Sequence, residues 1–146
     1  ETMHDYHGVG LAAPQVHESL RISVVEFDED NPRYDVGEAS GLQVFINPEV
    51  EVLDEKEQGY WEGCLSVPGM RGLVHRPGKI RVKYLDRDAQ SHDITAEGFL
   101  ATVLQHEFDH LDGKLYVDRL RDTRDLAFNE EYQRYVLQAE LPKEDE

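Results

Sequence analysis

The chain has 146 residues, of which 31 are acidic and 15 are basic, so its formal net charge is −16. This length fits one domain around one hydrophobic core. A negative field of this size opposes non-specific binding to nucleic acid, so we expect no direct contact with DNA or RNA. No apolar run approaches the roughly 20 residues that span a bilayer, so we expect no membrane partner. A single cysteine, Cys64, excludes an internal disulfide and fits a reducing compartment.

The sequence of the first two thirds of the chain predicts mainly strands. Residues 1–6 resemble the end of a helix, and a small-residue segment follows at 8–15. Alternating or β-branched runs bounded by Gly, Pro, Asn and Asp predict strands separated by turns. The predicted strands are 21–27, 44–46, 49–53, 58–62, 79–85 and 91–94. The predicted connections are a loop at 28–42, a turn at 63–69 and a hairpin turn at 86–90.

A central helix is the clearest element of the sequence. Thr95 is a candidate N-cap, and Gly113 is typical of the residue that follows a helix end. One face of this helix carries Phe99, Val103, His106 and His110. A second, apolar stripe carries Leu100, Leu104, Phe108 and Leu111. A helix that is apolar on most sides is buried in a small domain.

A last helix is predicted at 123–139, after the central one. Together these elements predict an α+β fold, in which antiparallel β-sheets pack around a central metal-binding α-helix and a C-terminal helix closes the domain.

The central helix carries His106-Glu107-Phe108-Asp109-His110. Residues four apart on a helix share a face, so both imidazoles can bind one metal ion. Glu107 is one step round from His106 and can reach a water on that ion. This is the H-E-x-x-H pattern of metal-assisted hydrolysis, with the Glu as general base.

Two histidines leave such an ion one protein ligand short, because catalytic zinc-type sites use three. Cys64 lies in a glycine-flanked turn and could supply a thiolate. Glu130 or Glu131 could supply a carboxylate from the last helix, as in some zinc proteases, although an acidic solvated face is the commoner explanation. The metzincin pattern requires a histidine six residues after His110, and Tyr116 occupies that position.

Three segments, at residues 8–15, 62–66 and 105–111, together resemble the three motifs of the peptide deformylases, in the same order. The resemblance spans about Gly8 to Leu120. It implies a single catalytic domain over 1–146 that lacks the N-terminal segment usual in the family. It implies removal of the N-formyl group from the initiator methionine of nascent polypeptides, with release of formate.

The resemblance also implies residue roles. Cys64, His106 and His110 would bind the metal, and Glu107 would act as acid and base. Gln15 and the backbone N–H of Leu65 would stabilise the oxyanion. The implied substrate-binding residues are Val9, Gly10, Tyr60, Gly63, Arg71, Phe99, Thr102 and Val103.

The implied cofactor is one Fe²⁺ per chain, with Zn²⁺, Ni²⁺ or Co²⁺ as replacements. The implied partners are N-formyl-Met nascent peptides, with a transient ribosome contact, and the implied location is the bacterial cytoplasm, with an organelle as the alternative. The tail ends Pro142-Lys143-Glu144-Asp145-Glu146. It therefore does not resemble the basic ribosome-docking helix of some bacterial members.

Overall fold

The computed structural model describes residues 1–27 and 41–138. In this part of the chain six strands form one antiparallel sheet, in the order β1-β2-β3-β4-β5, with β6 paired to β4. The strands are β1 (Gly10–Ala12), β2 (Ile22–Phe27), β3 (Gly41–Cys64), β4 (Val67–Leu85), β5 (Ser91–Glu97) and β6 (Leu126–Phe128). The predicted loop at 28–42 lies largely outside the described residues.

Strands β3 and β4 form one long hairpin, where the sequence predicted several short strands. The Asn47-Pro48 step does not end β3, because a register shift between Ile46 and Glu49 accommodates it. The turn at the end of the hairpin is shorter than the predicted 63–69 and consists of Leu65 and Ser66. Cys64 therefore lies at the tip of the hairpin, at the last paired position of β3.

Helix α2 (Gly98–Leu111) packs against the sheet as the central element. Its apolar stripe forms one core with residues from β2 to β5, and the most enclosed members include Val25, Phe45, Ile80, Val82 and Leu104. The α+β prediction, with a central buried helix, is confirmed.

The predicted N-cap of α2 is wrong. Thr95 lies in β5, where it pairs with Arg81, and the strand continues to Glu97, which is the N-cap residue. Pairing of Ala96 with Ile80 buries both side chains and outweighs the capping preference of Thr95. At the other end, Gly113 has φ +72, which is the left-handed conformation expected after a helix.

The C-terminal helix begins later than the predicted residue 123. A 3-10 turn at Thr123–Asp125 leads into β6, and α3 begins at Asn129–Glu131 and continues as a π-helix at Tyr132–Leu137. Residues 126–128 are a strand because they pair with β4 at Met70, Arg71 and Gly72. A short helix at the other terminus, α1 (Thr2–Asp5), agrees with the helix end predicted there. None of the helices among the described residues has the length and apolarity needed to cross a membrane.

Candidate metal centre and adjoining cleft

Three side chains from two distant parts of the chain converge at the tip of the long hairpin. The ligand atoms of Cys64, His106 and His110 lie within 4.8 Å of one another. The Cys64 Sγ is 3.5 Å from the His110 Nε2, and the two imidazole rings are 5.1 Å apart at an angle of 84°. One thiolate and two imidazoles are a donor set that suits a divalent transition-metal ion with a tetrahedral preference.

A buried carboxylate fixes the orientation of His106. The Glu62 Oε1 lies 2.8 Å from the His106 Nδ1. The Nδ1–H therefore donates to Glu62 and leaves Nε2 available for a metal ion. Arg76 donates to both oxygens of Glu62, at 2.8 and 3.1 Å, and to Asp109 at 2.8 Å. Arg119 completes this network by donating to both oxygens of Asp109.

The charges around the cluster favour the metal-binding form of the sulfur. Burial raises the pKa of the Cys64 thiol, but hydrogen bonds with His106 and His110 outweigh it and lower this pKa to about 5. Burial likewise raises the pKa of Glu62, but hydrogen bonds with His106 and Arg76 bring it below the usual value. The two histidines thus favour the thiolate form of Cys64, which is the form that binds metals.

Glu107 lies beside the three ligands and is almost fully buried. Among the described residues its Oε2 has no hydrogen-bond partner. Burial raises the pKa of Glu107 to about 6, although His106 and His110 act in the opposite direction. A carboxyl group with this pKa can accept and release a proton near neutral pH.

Strand β1 approaches Glu107 so closely that only glycine fits. A Cβ built on Gly10 would lie 2.6 Å from the Glu107 Oε1 and 2.8 Å from its Cγ. A real Cβ does not come this near to other heavy atoms, so either β1 or Glu107 would have to move.

Gln15 is held with its amide nitrogen toward the cluster. Its Oε1 accepts from the Ala12 N–H at 3.0 Å. Its Nε2 donates to the Ser66 Oγ at 3.0 Å and lies 3.7 Å from the Cys64 Sγ. The bond to Ala12 fixes which end of the amide faces Cys64, so a donor is preset there.

Two adjoining cavities open at the cluster. The first is a cleft of about 590 Å³ that contains Val9, Gly10, Gln15, Cys64 and Leu65. The second is a pocket of about 220 Å³ lined by Val9, Phe99, Thr102 and Val103. Gly63, Arg71, His106 and Glu107 belong to both cavities.

Two of the predicted site residues, Tyr60 and the buried ligand His110, line neither of these two cavities. Tyr60 lies beside the pocket. Its ring packs edge-on against Phe99, with centroids 5.4 Å apart. The pocket is lined instead by Trp61, whose side chain projects from the other face of β3. Tyr60 therefore packs behind Phe99, and its contact with a substrate stays a prediction.

The alternative third ligands are not at the cluster. Glu130 and Glu131 are exposed, and the only potential metal-binding group found among residues 1–27 and 41–138 is that of Cys64 and the two histidines. Tyr116 is not a ligand either. Its buried ring stacks on His106 at 6.3 Å.

Sequence reasoning missed Glu62, Arg76, Trp61 and Tyr132 as site residues. In the sequence, Glu62 stands out only as a member of the 62–66 segment. Arg76 lies on the other side of the hairpin turn. A general rule could have pointed to a carboxylate such as Glu62, because metal-binding histidines usually donate their other N–H to a carboxylate.

The Glu62 contact yields a test of the metal centre. We expect Glu62→Gln to weaken metal binding by about 10- to 100-fold, because a neutral amide orients and polarises His106 less well than a carboxylate. Competition with a chromophoric chelator measures this affinity. The matched control is Glu57→Gln, which removes a carboxylate that pairs with Arg121 outside the cluster. An unchanged affinity in Glu62→Gln would contradict the orienting role.

The chain matches known proteins over most of its length. The model of the polypeptide deformylase family matches residues 1–125. The chain is 50% identical over 131 residues to the peptide deformylase of Leptospira biflexa, which covers 90% of this chain and 73% of that protein. It is 51% identical over 120 residues to the peptide deformylase of Pseudomonas aeruginosa, with 82% and 67% covered.

Solved structures agree with these matches. A class I type b peptide deformylase from Acinetobacter baumannii, bound to Met-Ala-Ser, has a TM-score of 0.72 and 41% identity, covering 82% of this chain and 74% of that one. A peptide deformylase from Synechococcus elongatus in complex with actinonin has a TM-score of 0.73 and 36% identity, covering 97% and 71%. The chain belongs to the polypeptide deformylase family.

Proposed function

We infer that this chain hydrolyses the N-formyl group from the initiator methionine of nascent polypeptides and releases formate. The observation that carries this conclusion is the convergence of Cys64, His106 and His110 beside the buried Glu107, at the end of a cleft, in a member of the deformylase family. The cleft of about 590 Å³ would take the peptide main chain, and the adjoining pocket of about 220 Å³ would take one side chain.

The three ligands would hold a divalent ion. Such an ion would act as a Lewis acid and would lower the pKa of a bound water to roughly 7. A thiolate ligand donates charge and makes this Lewis acid weaker than one held by three imidazoles. Glu107 therefore has the larger share of the proton transfer. Its unpartnered Oε2 would accept the water proton during attack and deliver it to the departing amine.

The oxyanion that develops on the formyl oxygen needs donors that are already in position. The Gln15 amide is a suitable donor because its oxygen is anchored on the Ala12 N–H. The backbone N–H of Leu65, at the turn directly after Cys64, is the second proposed donor. Loss of one such donor typically raises the barrier by about 3 kcal/mol.

The proposed substrate is synthesised on bacterial ribosomes. We therefore propose that the protein acts in the bacterial cytoplasm and contacts the ribosome transiently. The remaining substrate contacts follow from the lining of the two cavities. Gly10 and Gly63 would face the peptide main chain, and Val9, Phe99, Thr102 and Val103 would contact the methionine side chain. Arg71 lies where the two cavities meet and would lie near the peptide.

The activity is tested by formate release from formyl-Met-Ala-Ser, with and without a hydroxamate chelator. We expect the metal-loaded wild type to release formate and the hydroxamate to stop it. Glu107→Gln should slow release by about 10²- to 10⁴-fold, because the amide cannot transfer the proton. The variant should keep its metal, because Glu107 is not a ligand. Formate release at the wild-type rate in Glu107→Gln would contradict the proposed role.

Gly10 offers a second test, which concerns the position of the Glu107 carboxylate. Because a Cβ at this position collides with Glu107, Gly10→Ala should displace the carboxylate and lower kcat/KM by about 10²-fold. The matched control is Gly8→Ala. A Cβ at Gly8 would make ordinary contacts at 3.4 to 3.6 Å, so this variant should retain most activity.

The close packing of Gly10 against Glu107 also predicts that acetyl-Met-Ala-Ser is a much poorer substrate than the formyl peptide. Equal rates on the two peptides would contradict this account.

We propose Fe²⁺ as the physiological ion. Thiolate and imidazole ligands also suit zinc, so the ligand set alone does not choose between them. Anaerobically purified protein should contain about one iron per chain and should lose activity in peroxide, because Fe²⁺ and its thiolate ligand are both oxidised. Nickel-loaded protein is the control and should resist. Stoichiometric zinc with full activity after anaerobic purification would contradict the iron assignment.

A further inference from the structure

The segment at residues 126–137 forms part of the pocket wall. The sequence predicted only a closing helix here. We propose that Tyr132 of this segment is a specificity-determining residue, which limits the width of the pocket for the first side chain of the substrate. This proposal rests on the proposed deformylase activity and extends it to the choice of side chain.

Strand pairing carries this segment to the site. In β6, Leu126 pairs with Gly72 and Ala127 pairs with Arg71. Arg71 itself lines both cavities, so β6 is attached to the strand that borders them. Helix α3 begins directly after β6, at Asn129, which lines the cleft. The position of Tyr132 is therefore fixed by backbone hydrogen bonds of the sheet, and not by the helix alone.

Tyr132 contacts two other residues of the pocket. Its ring lies 5.1 Å from the Trp61 ring at an angle of 48°. The guanidinium carbon of Arg71 lies 5.4 Å from the centre of the Tyr132 ring, on its face. Contacts of this kind favour a defined arrangement of aromatic rings and cations. Trp61, Tyr132 and Arg71 are thus a contiguous part of the pocket wall, which Phe99 and Val103 also line.

The chemistry of this wall suits a long, unbranched, apolar side chain. Aromatic rings make favourable contacts with a thioether sulfur, and a pocket of about 220 Å³ is small. Without the Tyr132 ring, the pocket would open between Trp61 and Arg71 and admit bulkier side chains. With a larger ring at this position, it would become too narrow for them.

The test compares kcat/KM for formyl-Met-Ala-Ser and formyl-Phe-Ala-Ser in the metal-loaded full chain. Tyr132→Ala should lower the Met-to-Phe ratio of kcat/KM by about tenfold, which is the usual scale for a change in pocket size. Tyr132→Trp should raise this ratio. Tyr132→Phe should keep it close to the wild-type value, because the hydroxyl is not needed for the wall. A merely structural role would lower both rates together and leave the ratio unchanged.

The matched control is Tyr135→Ala, which removes a ring of the same size from the same helical segment. Tyr135 is exposed and lines neither cavity, so its loss should leave the ratio unchanged. Wild-type ratios in both Tyr132→Ala and Tyr132→Trp would overturn the proposal. If Tyr132→Ala does not fold, the direction of the change in Tyr132→Trp decides the question.

A binding measurement separates this proposal from the proposed activity. Trp61 is the only tryptophan of the chain and lies in the pocket wall. Its fluorescence should therefore report binding of the product peptide Met-Ala-Ser, and Tyr132→Ala should weaken that binding relative to Tyr135→Ala. An inactive wild type would refute the proposed activity. An active wild type whose variants keep the wild-type selectivity would refute only the role of Tyr132.

Discussion

The buried ion pair between Glu62 and Arg76 is the interaction on which the rest of the site depends. It joins β3 to β4, and through His106 and Asp109 it joins both strands to α2. Both side chains are about 95% buried, so their separation from water costs several kcal/mol per charge. Replacement by apolar residues could give equal stability, but it would leave His106 without its acceptor. The pair is therefore better explained by the geometry that it imposes on the metal centre than by its contribution to stability.

The sheet also places Cys64 and Gly10 at this centre, with little room for displacement of either residue. Cys64 is the last paired residue of β3, and a register shift between Glu62 and Cys64 adjusts the direction of its side chain. On the other side, β1 approaches Glu107 closely enough that Gly10 cannot carry a Cβ. The thiolate thus comes from the end of β3, the imidazoles and the acid/base come from α2, and the Gln15 donor comes from a 3-10 turn that directly follows β1. The pairing of these strands sets the distances between the groups. Such preorganisation is the main source of rate enhancement in hydrolytic sites.

Sequence reasoning succeeded where the information is local or carried by a motif. Helical spacing predicted that His106 and His110 share a face, and the apolar stripe predicted a buried α2. It failed where strand pairing overrides local preference. Thr95 is a good N-cap by type but lies in β5, and residues 126–128 are a strand because β4 offers them partners. Long-range contacts such as that between Glu62 and Arg76 leave no local pattern, and neither does the approach of Tyr132 to Trp61.

The overlap of the two cavities links recognition to catalysis. Val9, Gly63 and Arg71 line both the cleft and the pocket, and Glu107 and His106 lie where these cavities meet. A substrate that fills the pocket with its first side chain is therefore fixed within one residue of the formyl carbon. An error of about 1 Å in such placement can cost about 10²-fold in rate. Pocket residues that are not metal ligands, such as Tyr132, can thus influence kcat as well as KM, because they would determine how the formyl group meets Glu107.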